Sequence, residues 1–265
     1  MKLSVLFLGL LLTNLVIGQT WVLETELTLK DSTYHWTSDE WGQLYQWKDN
    51  TVWLQNEQNQ EPFQETYKIL AEISEVQAIS GLRALIYSEG QQMMGIVDNT
   101  LQLKEGLLAF FDFNFSSISE IAISNRPDFI WLFDQYRERL ILFNINTAQS
   151  VQLVDNCFGG NNDAQIVQFF EYQQNLICLL KDGRFYAFDR NLTLVKKMDL
   201  APNLSLFGYK NDIWLQDQNW IEKLGPSIHS SRIELPITNY RQLQILQDRF
   251  YFQQGAKIKV FRLIL

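Results

Sequence analysis

An apolar run that follows a polar turn returns six times along this chain. The copies are KDNTVWLQ (48–55), GLRALIYS (81–88), RPDFIWLF (126–133), QQNLICLL (173–180), KNDIWLQD (210–217) and QDRFYFQQ (247–254). With Trp53, Ile86, Trp131, Cys178, Trp214 and Tyr251 taken as equivalent, the intervals are 33, 45, 47, 36 and 37 residues, a mean of about 40. No window shows sustained helical periodicity, and the runs are rich in Trp, Tyr, Phe, Ile, Val and Thr, the residues strands favour. A period near 40 with several short strands per copy is the signature of propeller blades.

The later copies each resolve into four strands. In the third they read SEIAIS, DFIWLFDQ, RLILFNIN and QSVQLVD; in the fourth, AQIVQFFEY, NLICLLKD, RFYAFDRN and TLVKKMDL. The stretch DFIWLFDQYRERLILFN (128–144) is thus the second and third strands of blade three, joined by a tight turn at 135–138. The last copy has only three strands before the chain stops, and the alternating segment WVLETELTLK (21–30) is free to supply the fourth. That pairing would close the ring and leave no open sheet edge between the first and last blades. The expected fold is an all-β, six-bladed β-propeller of four-stranded antiparallel blades; five or seven blades also fit if the irregular first two copies are divided differently. Trp53, Trp131 and Trp214 share their repeat position with Ile, Cys and Tyr, so they read as packing between blades rather than as ligands.

Residues 1–18, MKLSVLFLGLLLTNLVIG, carry one lysine, an apolar stretch and a small residue at the end, the pattern of a secretory signal cleaved near Gly18–Gln19. As a membrane anchor the stretch is short, and Asn14 interrupts it. The expected organisation is a signal peptide at 1–18 and a single propeller domain at 19–265, exported to the periplasm or beyond the cell, with no membrane span in the mature chain. The net charge of −8, with acidic residues dispersed and no basic stripe, argues against nucleic-acid partners. Cys157 lies in a Gly/Asn-rich loop and Cys178 in a strand. A bridge requires Cα atoms within about 7 Å, which spacing does not fix. A chain of this size needs no staple, and two free thiols are expected.

Residues for chemistry are sparse. Neither His35 nor His229 has a Cys or carboxylate at ligand spacing, and no nucleophile elbow, dinucleotide fingerprint or phosphate loop is present. The pairs Asp112 with Asp155 and Asp39 with Glu40 sit in turns, where solvated carboxylates are the ordinary case. No catalytic residue, metal or cofactor is expected. In a propeller the turns between second and third strands and the connections between blades emerge on one face. The segments 32–42, 111–117, 134–138, 155–163, 181–183 and 217–219 are expected there, and loops on rigid scaffolds carry function disproportionately. His35, Trp36, Trp41, Tyr136, Arg137, Asn161 and Asn162 are the candidate binding residues on that face.

GRFYAFDRN (183–191) resembles the core of pyrroloquinoline-quinone-type propeller repeats, though without their docking tryptophans. MGIVDNTLQ (94–102) followed by PDFIWLFDQYRERLILFN is similar to exported propeller proteins of Bacteroidetes type, and the resemblance runs over most of the chain. It implies an exported propeller and brings no catalytic residues with it. In that bacterial context the glycosylation triplets at Asn114, Asn191 and Asn203 carry no weight. The expected function is a non-catalytic interaction or scaffold module of the cell envelope, monomeric and binding an envelope or secreted protein through its loop face. The alternative is a small-molecule or calcium-dependent hydrolase site in the central channel, where Asp and Asn at matched inner positions would be needed.

Overall fold

A computed structural model describes residues 20–55, 63–80, 82–160, 164–225 and 232–264. They form six four-stranded antiparallel sheets, each a blade of a closed ring. No α-helix occurs among the described residues; three short 3-10 turns lie at Lys68–Leu70, Phe110–Phe113 and Gln135–Arg137. The inner strands of blades one to six are His35–Ser38, Glu75–Ser80, Ile118–Ile123, Ile166–Tyr172, Ser205–Tyr209 and Gln242–Leu246.

The second and third strands of a blade are covered on both faces by neighbouring blades, which is why they read as unbroken apolar runs instead of alternating ones. In blade three Phe129–Asp134 pairs with Arg139–Asn144, Trp131 facing Leu142 and Phe133 facing Leu140. Alternate side chains serve opposite neighbours. Trp131 and Phe133 pack towards blade four, with Phe169, Cys178 and Tyr186. Ile130 and Leu132 pack towards blade two, with Leu85, Tyr87 and Met94. The described core divides into six such clusters, one at each interface between adjacent blades. The turn joining these two strands closes with Glu138 in the left-handed region at φ 44°.

Ring closure follows the expected route. Thr20–Thr28 pairs antiparallel with Lys257–Ile264, from Thr20 opposite Ile264 to Thr28 opposite Lys257. A bulge between Leu23 and Thr25 leaves Glu24 unpaired in the ladder, and its carboxylate takes Arg249 at 2.9 Å and Arg262 at 2.7 Å.

Blade one differs from expectation. Its second strand is Leu44–Lys48, and Trp53 lies on the third, Thr51–Gln55, facing Gln46 across the hairpin. The four-residue inner strand HWTS is short and half polar because it borders the channel, so it carries no apolar run by which to recognise a strand.

The inner strands expose one backbone edge to the channel, and glutamines fill part of that edge. Gln77 of blade two donates to Ile121 O (2.7 Å) and accepts from Ile123 N–H (3.1 Å) on blade three. Gln168 of blade four both donates to Leu206 O (3.0 Å) and accepts from its N–H (2.5 Å) on blade five. Gln244 of blade six accepts from Ser38 N–H (3.2 Å) and donates to Thr37 Oγ1 (2.9 Å) on blade one. A primary amide offers a donor and an acceptor side by side, as a peptide group does, so each one continues the ladder across a gap between blades.

Candidate functional site

Every inner strand begins on one face of the ring and ends on the other. The face where they begin also carries the connections between blades and the turns between second and third strands; we call it the entry face. The opposite, exit face carries the turns between first and second and between third and fourth strands.

This geometry separates the residues singled out by sequence. Segment 32–42 is not one loop, because its middle is the inner strand of blade one and crosses the molecule. His35 stands at the entry end, exposed, and stacks on Trp47 with ring centroids 5.5 Å apart. Trp36 is 1% exposed and packs in the seam between blades six and one, its indole N–H donating to Gln253 Oε1 at 2.9 Å. Trp41 is exposed on the exit face, in a turn held by Asp39, which accepts from Trp41 N–H and Gln43 N–H. Tyr136 is 78% exposed at the tip of the entry-face turn Gln135–Arg137, and Arg137 beside it is half-buried. Asn161 and Asn162 lie outside the described residues, as does His229. Of the pair Asp112 and Asp155, Asp155 is bound by Arg139 through two contacts of 2.5 and 3.2 Å.

Two features of the entry face extend the sequence candidates. The first is apolar. Ile69 (67% exposed), Phe111 (66%) and Tyr136 sit on the three 3-10 turns, over the arc of blades one to three. The turn bearing Tyr136 is tied to the connection that carries Phe111, since Gln135 N–H donates to Ser117 O at 2.9 Å. A solvent-facing apolar residue on a single turn makes no contribution to sheet formation, unlike Val151, Leu153 and Val195, which are exposed on outer strands.

The second is the central channel, a cavity of about 810 Å³. Its entry end is bounded by His35, Glu75, Glu120 and Gln242, and its far end by Glu171 and Leu246. Glu75 opens the inner strand of blade two; Glu120 follows a bulge in blade three, which brings the consecutive residues Ser119 and Glu120 both to the wall. Glu171 is well provided for, accepting from Ser124 Oγ (2.7 Å), Asn125 N–H (3.2 Å) and Trp131 Nε1–H (2.5 Å). Glu75 receives one donor, Gln77 Nε2–H at 2.6 Å. Glu120 has no hydrogen-bond or ion-pair partner among the described residues, and no lysine or arginine lines the cavity. Burial pushes the Glu75 carboxyl up to about 7, with Gln77 opposing. Burial, and then the charges of Glu75 and Glu89, push Glu120 up to about 8. The sequence signal is a glutamate inside the first strand of consecutive blades, EVQAIS and SEIAI.

Among the described residues no three His, Cys, Asp or Glu side chains gather as a metal site. Both thiols are free: Cys178 is buried between blades three and four, and Cys157 packs against the same cluster.

No family model matches the chain, and no curated protein is found as a relative. Solved structures do share its fold. Virginiamycin B lyase from Staphylococcus aureus superposes with a TM-score of 0.62 at 11% identity, covering 93% of this chain and all of that one. BamB from Moraxella catarrhalis gives 0.50 at 11% identity, over 85% of this chain and 70% of its own. The BBS1N domain, solved in complex with ARL6DN, gives 0.59 at 10% identity, over 84% and 75%. At such identities the likeness is one of fold alone. It spans proteins of unlike chemistry, as superfolds do.

Proposed function

We propose that this chain is a non-catalytic propeller that binds a protein partner through the entry face. The observation that carries this reading is the arc of Ile69, Phe111 and Tyr136, large apolar side chains held out into solvent on short turns of a rigid ring. Exposed aromatics of this kind are enriched where proteins meet. The signal-like residues 1–18 support an exported protein, and the partner is then an envelope or secreted protein engaged by a monomeric propeller. No helix among the described residues is long and apolar enough to cross a membrane. The BBS1N domain gives a precedent for a propeller of this shape in a protein complex.

The test is photo-crosslinking in the native host from positions 136 and 111, with control probes at Trp41 and Asn211 on the exit face. A discrete heavier band from the first two positions alone is expected. Bands of equal strength from all four positions, or from none, would remove the entry face as the working surface.

The channel favours a second reading, a small-molecule site, because about 810 Å³ holds a drug-sized ligand. A calcium-dependent hydrolase is the narrower form of that reading. It requires a calcium-induced rise in Tm that is lost in Glu75→Gln and Glu120→Gln.

A further inference from the structure

We propose that the entry end of the channel is the receptor for a single lysine or arginine side chain of the docked protein, held between Glu75 and Glu120. The inference rests on the entry-face reading above and gives the partner its chemistry: a cationic side chain flanked by apolar ones. Three observations converge on it.

The charge is one-sided. Glu75, Glu89 and Glu120 face the entry end from blades two and three, Glu171 stands at the far end, and His35 is the one other titratable group facing it besides Tyr87. Blade six contributes the amides of Gln242 and Gln244, which carry no charge. Nearby Arg241 is turned away, its guanidinium donating to Ser32 O. The channel therefore holds carboxylates and supplies no lysine or arginine of its own. A long, thin cationic chain entering along the axis would relieve the repulsion between Glu75 and Glu120.

The wall suits the same guest. Trp47 lines the cavity and is 6% exposed. Stacked against it, His35 forms with Trp47 an aromatic wall beside the carboxylates, a combination that recognises an alkylammonium or guanidinium through its charge and its apolar stem together.

The surroundings fit a protein more closely than a free amine. Ile69, Phe111 and Tyr136 crown the same three blades whose inner strands begin with His35, Glu75 and Ile118–Glu120. Apolar side chains on the same face as a charged pocket suit a protein partner, the apolar contacts excluding water and the ion pair fixing the register.

The experiment uses the full mature chain and two nine-residue peptides of alternating serine and leucine, one with a central lysine and the other with norleucine there. In calorimetric titrations at pH 8.5 the lysine peptide should bind at least ten-fold more tightly. That preference should fall below two-fold in the Glu75→Gln/Glu120→Gln double variant, and also at pH 5.5, where both carboxyls are protonated. Glutamine is isosteric and removes like charge, so the variant should fold; a cooperative melt confirms it. Equal affinity for the two peptides, no binding of either at millimolar concentration, or a preference that survives in the double variant would each overturn the receptor.

Crosslinking from position 136 in the host separates the two claims. A band that weakens at least five-fold when the double variant is introduced supports both. A band that is unchanged keeps the docking face and sinks the lysine site. A lysine preference in solution, matched by free 1,5-diaminopentane and accompanied by no crosslink, sinks the protein partner and makes the channel a small-amine site.

Discussion

Glu120 sits in an environment that its neighbours in sequence do not suggest, and its protonation should be visible in stability. A carboxyl pushed up to about 8 in the folded chain binds its proton there well before an unfolded one does, whose ordinary value is 4.5. Between those limits the folded state holds more protons, so stability falls as pH rises. The contribution of Glu75 and Glu120 is full below pH 4.5 and lost by about pH 8. Glu120→Gln should raise Tm at pH 8.5 by about 5 °C, equivalent to roughly 2 kcal/mol once channel water is allowed for, and should flatten the decline of Tm between pH 5 and 8. A Tm that is unchanged at pH 8.5 would mean that Glu120 is fully hydrated. Trp36 and Tyr136, alike as sequence candidates, should part company. Trp36→Ala empties a buried seam and leaves Gln253, itself 0% exposed, without its donor, at a cost of about 3–5 kcal/mol in urea unfolding. Tyr136→Ala should leave stability within about 0.5 kcal/mol and abolish the crosslink from position 111. Sequence draws part of that distinction, since Tyr136 falls at the tip of a tight turn whereas Trp36 falls in an irregular stretch where an aromatic can equally cap the blade. Burial pushes both thiols up, Cys157 with help from Glu138, so neither should react with a disulfide reagent until the chain is unfolded.

At the scale of elements, what could be read in advance follows from coverage. Strands sandwiched between blades advertise themselves: FIWLFD, RLILFN, NLICLL and RFYAF are buried almost throughout and were recognisable as runs. The inner strands border an aqueous channel, carry Glu, Gln and Ser, and have no comparable signature. That is why HWTS reads as part of a loop in sequence, why the apolar run at Trp53 matches second strands although it is a third, and why the channel glutamates carry no mark of a site. Segments 111–117, 134–138, 181–183 and 217–219 share the entry face, as the sequence leads one to expect, since they lie between well-marked strands. The inner strands also hold the amide clasps. Gln168→Ala should leave Leu206 without its side-chain partner at the gap between blades four and five, costing about 1–3 kcal/mol in urea unfolding. Gln168→Glu should cost at least as much, because a carboxylate cannot donate to Leu206 O. If both variants were neutral, water would be serving the same edge equally well.

On the scale of the whole molecule, the ring is held by a pairing between its two most distant strands. Without Thr20–Thr28, blade six has three strands and exposes the edge of Lys257–Ile264. A chain lacking residues 19–28 should melt at least ~10 °C lower, at roughly 2–4 °C per kcal/mol for a chain of this length. A synthetic peptide of those residues should restore Tm in a concentration-dependent way, as a strand added to an open edge does. Failure of the peptide to raise Tm at any concentration would argue that the closure adds little to the ring.

The same pairing sets a clock. Thr20 and its partner Ile264 are 244 residues apart in the chain, an interval of roughly 10–50 s at ordinary rates of synthesis. Throughout that wait Trp21 and Leu27, which later pack on blade six and its seam with blade one, have no sheet to join. A strand that is ready early and a vacant edge that arrives late can find each other between chains as readily as within one. Where nascent copies are crowded, each ring can be sealed by its neighbour's strand, and the product is a pair of complete propellers that have exchanged their first strands.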